Sequence, residues 1–182
     1  MSAAGEGAAV IRALRPQDSR LEVSAIYEES WRWAYRGIVP QAYLDALPPG
    51  RWAAFIDTPG IYTLVADDGG ALAGTASFCA SRFPEYEGMG EIVSLYLREP
   101  YAGRGLGRAL LEAAAAALAA LGFEDIFLWV LEENARAQVL RTRRLCRRRR
   151  GDRVRHRRQN AAGAALCAPR RRSKRSIITK EI

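Results

Sequence analysis

The most constraining feature is the stretch from Glu91 to Leu111, in which an apolar run, Glu91 to Leu97, meets Gly103-Arg104-Gly105-Leu106-Gly107 and then an alanine- and leucine-rich segment. The run reads as a sheet strand and Pro100 to Gly107 as a glycine-rich turn. The spacing predicts a helix over 108–121, closed by Gly122 as its C-cap. Glycines let backbone N–H groups approach a ligand with no Cβ in the way. A helix N-terminus adds about half a positive charge and unpaired N–H donors. Together they make a cradle for a pyrophosphate, although the same turn can serve as a plain strand-to-helix joint. A dinucleotide-binding fingerprint needs a third glycine near Arg108 or Ala109, and a Walker loop needs Gly-Lys-Ser/Thr. Residues 1–137 contain no lysine at all, so both patterns fail.

Upstream, Val10 to Leu14 reads as a first strand, and Asp18 or Ser19 caps a helix running to about Tyr35. Gln41 to Leu47 is a second short helix, and Arg51 to Ile56 one more turn. Ile61 to Ala66 is a strand, Asp67-Asp68-Gly69-Gly70 a hairpin turn, and Ala71 to Ala80 the returning strand. Pro84 to Gly90 is a polar loop, and Asp125 to Leu131 a further strand. Helices, then an antiparallel hairpin, then strand–helix–strand give an α/β (α+β) class.

Charge divides the 182 residues in two. Residues 1–137 carry 11 Arg against 18 acids, and residues 138–182 carry 17 Arg or Lys against 2 acids. An acidic domain, 1–137, is thus followed by a very basic tail, 138–182. The three cysteines, Cys79, Cys146 and Cys167, are widely spaced and fit a reducing cytosol, and no metal-ligand spacing is present. The single histidine, His156, sits in an arginine run, which argues against a zinc site or a Ser-His-Asp triad. No secretory signal and no run of about 18 apolar residues is visible, so the expected location is the cytoplasm, with no membrane contact.

Ala102-Gly103-Arg104-Gly105-Leu106-Gly107 resembles the acyl-CoA signature of the GNAT superfamily: Gln or Arg, two residues, Gly, one residue, Gly or Ala. Ala102 departs from the usual Gln or Arg. Ser30-Trp-Arg-Trp-Ala-Tyr-Arg-Gly-Ile-Val-Pro40 is similar to the first helical segment of many bacterial members, and Leu128-Trp-Val-Leu-Glu-Glu-Asn-Ala-Arg136 to the fifth strand and the Asn after it. The resemblance implies a mixed, mostly antiparallel central sheet flanked by helices, with splayed fourth and fifth strands. It implies N-acetyl transfer from acetyl-CoA to a primary amine of a small molecule or peptide, with no metal. Leu95, Tyr96 and Leu97 would pair with pantetheine through their backbone, and Gly103, Arg104, Gly105, Leu106, Gly107 and Arg108 would hold the pyrophosphate. Asn134 would contact the cofactor.

Such chemistry needs a neutral amine, N–H donors at the thioester oxyanion and a proton for the thiolate. Glu91 is the candidate general base, acting through a water; the alternative is a solvated strand-end carboxylate. Trp31, Trp33 and Tyr35 either line the acceptor pocket or are core aromatics of an amphipathic helix. Glu28 and Glu29 either bind a cationic acceptor or form a solvated helix face. A homodimer is left open.

After Asn134 the family pattern continues A-R-x-F-Y-x-x-x-G-F, whose Tyr is the usual thiolate proton donor. This chain instead reads Gln138-Val-Leu-Arg-Thr-Arg-Arg-Leu-Cys-Arg-Arg-Arg149. Back-translated and read one base later, that segment is compatible with R-F-Y-E-R-A-G-F-A-A-D, the missing motif. The tail therefore looks frameshifted, which predicts loss of the last two strands, an exposed fifth-strand edge and impaired turnover. The rival readings of the tail are an arginine-rich nucleic-acid arm, which lacks interleaved aromatics for stacking on bases, and a fold of its own that no pattern marks; for the protein as a whole the alternative is a non-catalytic acyl-CoA-binding module.

Overall fold

A computed structural model of the chain describes residues 9–130, 165–166 and 176–181. Its elements are β1 (Val10–Ala13), α1 (Arg20–Ala34), α2 (Gln41–Asp45), α3 (Ala53–Ile56), β2 (Tyr62–Asp68), β3 (Ala71–Ala80), β4 (Gly90–Leu97), α4 (Leu106–Ala120), β5 (Asp125–Val130), β6 (Ala165–Leu166) and β7 (Ser176–Glu181). Hydrogen-bonded neighbours follow the order β1-β2-β3-β4-β5-β7-β6. The chain divides into two compact units, Met1–Phe78 with Ser94–Ala114, and Cys79–Val93 with Ala115–Ile182.

In the first unit, local chemistry places each element. Ser19 caps α1 by accepting the N–H of Glu22 at 3.2 Å. β2 and β3 are joined by Gly69 and Gly70, with φ of 61° and 99°. Both central residues of this two-residue turn are left-handed, the geometry that glycine supplies and that matches the twist of the flanking strands. β1 pairs antiparallel with β2, and β2 with β3. Val23, Ile26, Tyr27, Ile56, Val65 and Leu72 form the core between the helices and the sheet. Hydroxyls buried there bond one another: Tyr27 Oη lies 2.9 Å from Ser77 Oγ and 2.8 Å from Ser94 Oγ, and Ser77 reaches Thr63 Oγ1 at 3.0 Å. A buried hydroxyl left unpaired would cost about 1–3 kcal/mol.

In the second unit, β4 and β5 run parallel, with Gly90, Glu91 and Ile92 opposite Ile126, Phe127 and Leu128. Both strands continue beyond this ladder, β4 to Leu97 and β5 to Val130. Phe83, Tyr86, Phe127 and Trp129 form a four-ring cluster in which every pair of centroids lies 4.9–6.4 Å apart.

The tail departs from expectation. β7 pairs parallel with β5 over its whole length, and β6 pairs antiparallel with β7. β5 is therefore not an exposed edge. Ser176-Ile-Ile-Thr-Lys-Glu181 carries three consecutive β-branched residues, a strand signal that is easily overlooked behind the neighbouring arginines.

The register of β4 on β3 is informative. Ser81 N–H bonds Met89 O at 2.9 Å before β4, and Arg98 N–H bonds Ala73 O at 2.9 Å after it. The strands are thus antiparallel. Eight residue steps separate Ala73 from Ser81, but nine separate Met89 from Arg98. One more residue therefore lies between these two bonds on the β4 side than on the β3 side.

Candidate active site

The end of β4 and the start of α4 form one packed joint. A Cβ on Gly107, in the first turn of α4, would meet Leu97 Cδ1 at 3.2 Å and Leu95 Cδ2 at 3.8 Å. A Cβ on Gly74 would fall 2.4 Å from Leu97 Cδ2 and 2.8 Å from the Tyr96 carbonyl oxygen. Leu95 and Leu97 therefore lie under the helix, and β3 and α4 approach β4 closely only because glycine is present. Tyr96 faces the other way, its ring 4.7 Å from that of Tyr27, its hydroxyl accepting from Trp31 Nε1 at 3.0 Å.

Between Leu97 and α4 the chain makes a short 3-10 turn, Glu99–Tyr101, and then enters the glycine turn. Gly103 and Gly105 have φ of 77° and 83°. Nothing lies within 4 Å of a Cβ built on either. These two glycines serve backbone shape and open approach, whereas Gly107 serves packing. The first helical bond of α4 is Ala109 N–H to Gly105 O at 3.0 Å. The N–H groups of Leu106, Gly107 and Arg108 therefore have no acceptor within the helix. They sit at the positive end of a 15-residue helix. Arg104 and Arg108 are exposed beside them. The Arg104 guanidinium lies 5.4 Å over the Tyr101 ring, and the Tyr101 hydroxyl hydrogen-bonds Asp68, which raises its pKa. Two cations and a row of amides with no intrahelical acceptor, around an open turn, are suited to a diphosphate.

Glu91 occupies the first half of β4, four residues before Leu95. It is not a solvated strand-end carboxylate: it is fully buried. Arg82 gives it three hydrogen bonds, from the main-chain N–H at 3.2 Å, Nε at 3.0 Å and Nη2 at 2.7 Å. Cys79 is also buried, and its thiol is pushed up to about 11, first by burial and then by the charge on Glu91. Neither Arg82 nor this pairing is visible in the sequence, since nothing marks a residue nine positions away as a partner.

Among the aromatic candidates, Trp31 and Tyr35 stand 4.8 Å apart, and Trp31 lies 5.6 Å from Trp52. Tyr35 also hydrogen-bonds Tyr96, and burial raises the pKa of both phenols. Trp33 is half-buried. Glu28 is neither a free acceptor ligand nor a solvated residue. It is buried, accepting from Ser24 Oγ at 2.9 Å and from Gly50 N–H at 2.8 Å, so it pins the turn before α3 to α1. Glu29 is half-exposed, 3.3 Å from Arg98 Nε without hydrogen-bond alignment. Asn134 lies outside the described residues, as do residues 138–149. Among the described residues, no cluster of three His, Cys, Asp or Glu could hold a metal, and no helix is long and apolar enough to cross a membrane.

Known proteins carry the same pattern. The acetyltransferase (GNAT) family profile matches residues 22–145. An uncharacterized N-acetyltransferase of Bacillus subtilis, YuaI, is 33% identical over 129 residues, covering 68% of this chain and 72% of the relative. Among solved structures, the PaiA N-acetyltransferase of Thermoplasma acidophilum in complex with coenzyme A aligns with a TM-score of 0.59 at 21% identity, over 72% of this chain and 85% of that one. A GNAT acetyltransferase of Brucella melitensis in complex with acetyl-CoA aligns with a TM-score of 0.51 at 21% identity, over 72% and 80%. With the strand–glycine turn–helix joint in place and the profile spanning it, the chain belongs to the GNAT family of acetyltransferases.

Proposed function

We propose that the chain transfers an acetyl group from acetyl-CoA to a primary amine of a small molecule or peptide. The observation that carries this reading is the open turn at Gly103 and Gly105 feeding the unpaired amides of Leu106, Gly107 and Arg108. These groups, with Arg104, hold the pyrophosphate. Backbone groups of Leu95, Tyr96 and Leu97 pair with the pantetheine arm, a role supported by the continuation of β4 past its ladder with β5. One of those N–H groups polarises the thioester carbonyl as it becomes an oxyanion. Glu91 takes the proton of the acceptor ammonium through a water, leaving the neutral amine to attack. Asn134 contacts the cofactor. The basic tail is a frameshifted ending that lacks the proton-donating Tyr, so the thiolate leaves without that help and turnover is reduced.

Free-thiol release from acetyl-CoA, measured against a panel of amines, tests this reading. Amine-dependent release at a low rate supports it. Tight acetyl-CoA binding with no release for any amine would favour a non-catalytic binding module instead. Sequencing the gene across the codons for 137–150 tests the frameshift, and an intact frame in independent clones would remove it.

A further inference from the structure

A fully buried carboxylate is a poor base unless something keeps it charged. An uncompensated charge is costly to bury, and a neutral carboxylic acid is too weak a base to take a proton from an ammonium. The described residues supply one counter-charge beside it. Arg82, from the segment after β3, covers both carboxylate oxygens, with Nη2 on Oε1 at 2.7 Å and Nε on Oε2 at 3.0 Å. Its main-chain N–H adds a third bond to Oε2. The other titratable neighbour, Cys79 of β3, is a neutral thiol at physiological pH. From β5 the register partner of Glu91 is Phe127, which carries no charge. The guanidinium lies 5.9 Å over the Phe83 ring, and Phe83 belongs to the four-ring cluster. Apolar walls of this kind strengthen the ion pair by lowering the local dielectric. Arg82 itself remains 45% exposed, so its charge is solvated on the outer side while Glu91 is not.

We infer that Arg82 is the positioning residue of amine deprotonation: its forked contact supplies the counter-charge to buried Glu91 and fixes the orientation in which the carboxylate receives a proton. This rests on Glu91 being the base. The proton balance is simple. The acceptor ammonium gives a proton to the intervening water, and that water gives one to the Glu91 carboxylate. The amine becomes neutral, Glu91 becomes a neutral acid, and it re-ionises by releasing the proton to solvent before the next turnover. Arg82 exchanges no proton at any stage.

The test is the pH dependence of kcat/KM for the full chain and for Arg82→Gln, Arg82→Lys and Glu91→Gln. In Arg82→Gln the acid limb should move to higher pH by about one unit or more, because the buried carboxylate loses its opposite charge. Arg82→Lys keeps the charge without the fork, so its limb should return toward that of the parent while kcat stays lowered. A purely structural arginine would lower the rate in both variants and leave the limb in place, and that result overturns the inference. A carbon-13 titration of the Glu91 carboxyl gives the same comparison without turnover: an upward shift in Arg82→Gln supports the role, and an unchanged midpoint overturns it. Glu91→Gln separates the two levels. If it keeps full turnover, the base assignment itself fails; if it is inactive while the Arg82→Gln limb is unmoved, only the role of Arg82 fails.

Discussion

The glycines around the β4–α4 joint fall into two groups that look alike in sequence and differ in what they do. Gly74 and Gly107 are packed, and a methyl group at either would strike Leu97 or the main chain of β4. Gly103 and Gly105 face open space and are left-handed. The first pair brings backbones together, and the second shapes a turn that is open around its Cα positions. The family signature, which spans Gly105 and Gly107, thus combines an open, left-handed turn position with a packed one two residues apart.

Substitutions can separate the two groups. The largest effect is expected at Gly74→Val, where the added Cβ lies 2.8 Å from a backbone oxygen that cannot swing aside. Unfolding by denaturant should show a loss of about 3 kcal/mol, at the upper end of overpacking costs. Gly105→Ala should cost about 1–2 kcal/mol of stability from its φ of 83°. Its diagnostic effect is on the ligand, with acetyl-CoA affinity falling about tenfold or more as the amides are misaligned, worth about 1.4 kcal/mol per decade. If Gly74→Val weakened binding with no loss of stability, or Gly105→Ala did the reverse, the division between the groups would collapse.

Smaller effects test the frame that holds the joint. Glu28→Ala removes the partner of Gly50 N–H and Ser24 Oγ, and thermal unfolding should register about 1–3 kcal/mol. The smallest is at Asp18, whose pKa is lowered to about 2, first by its hydrogen bonds to Arg12 and then by the Arg15 N–H. A carboxyl with a lowered folded pKa stabilises above its unfolded value, near 3.8, and that contribution fades as pH falls toward 2. Asp18→Asn should therefore narrow its stability gap to the parent across that window, and a gap that widens toward acid would contradict the pairing.

Local signals were legible in the sequence. Ser19 as a cap, Gly69-Gly70 as a turn, β3 from Ala71 to Ala80 and Gly122 past the end of α4 all depend on neighbours within a few residues. What was hidden depends on partners distant in the chain. Glu28 is buried because Gly50 N–H, 22 residues on, needs an acceptor. Glu91 is buried because Arg82 reaches it, and a glutamate at a strand end reads the same whether paired or solvated. β7 is hidden because arginines dominate the tail, while its strand character lies in three residues, Ile177, Ile178 and Thr179.

The central claim is that the amides of residues 103–108 hold the diphosphate of acetyl-CoA. The most direct measurement is the backbone amide NMR spectrum of the full chain during titration with acetyl-CoA. The account predicts saturable shifts concentrated at Gly103, Arg104, Gly105, Leu106, Gly107 and Arg108. Saturable binding that leaves those six amides unmoved, or no binding at all, would contradict it.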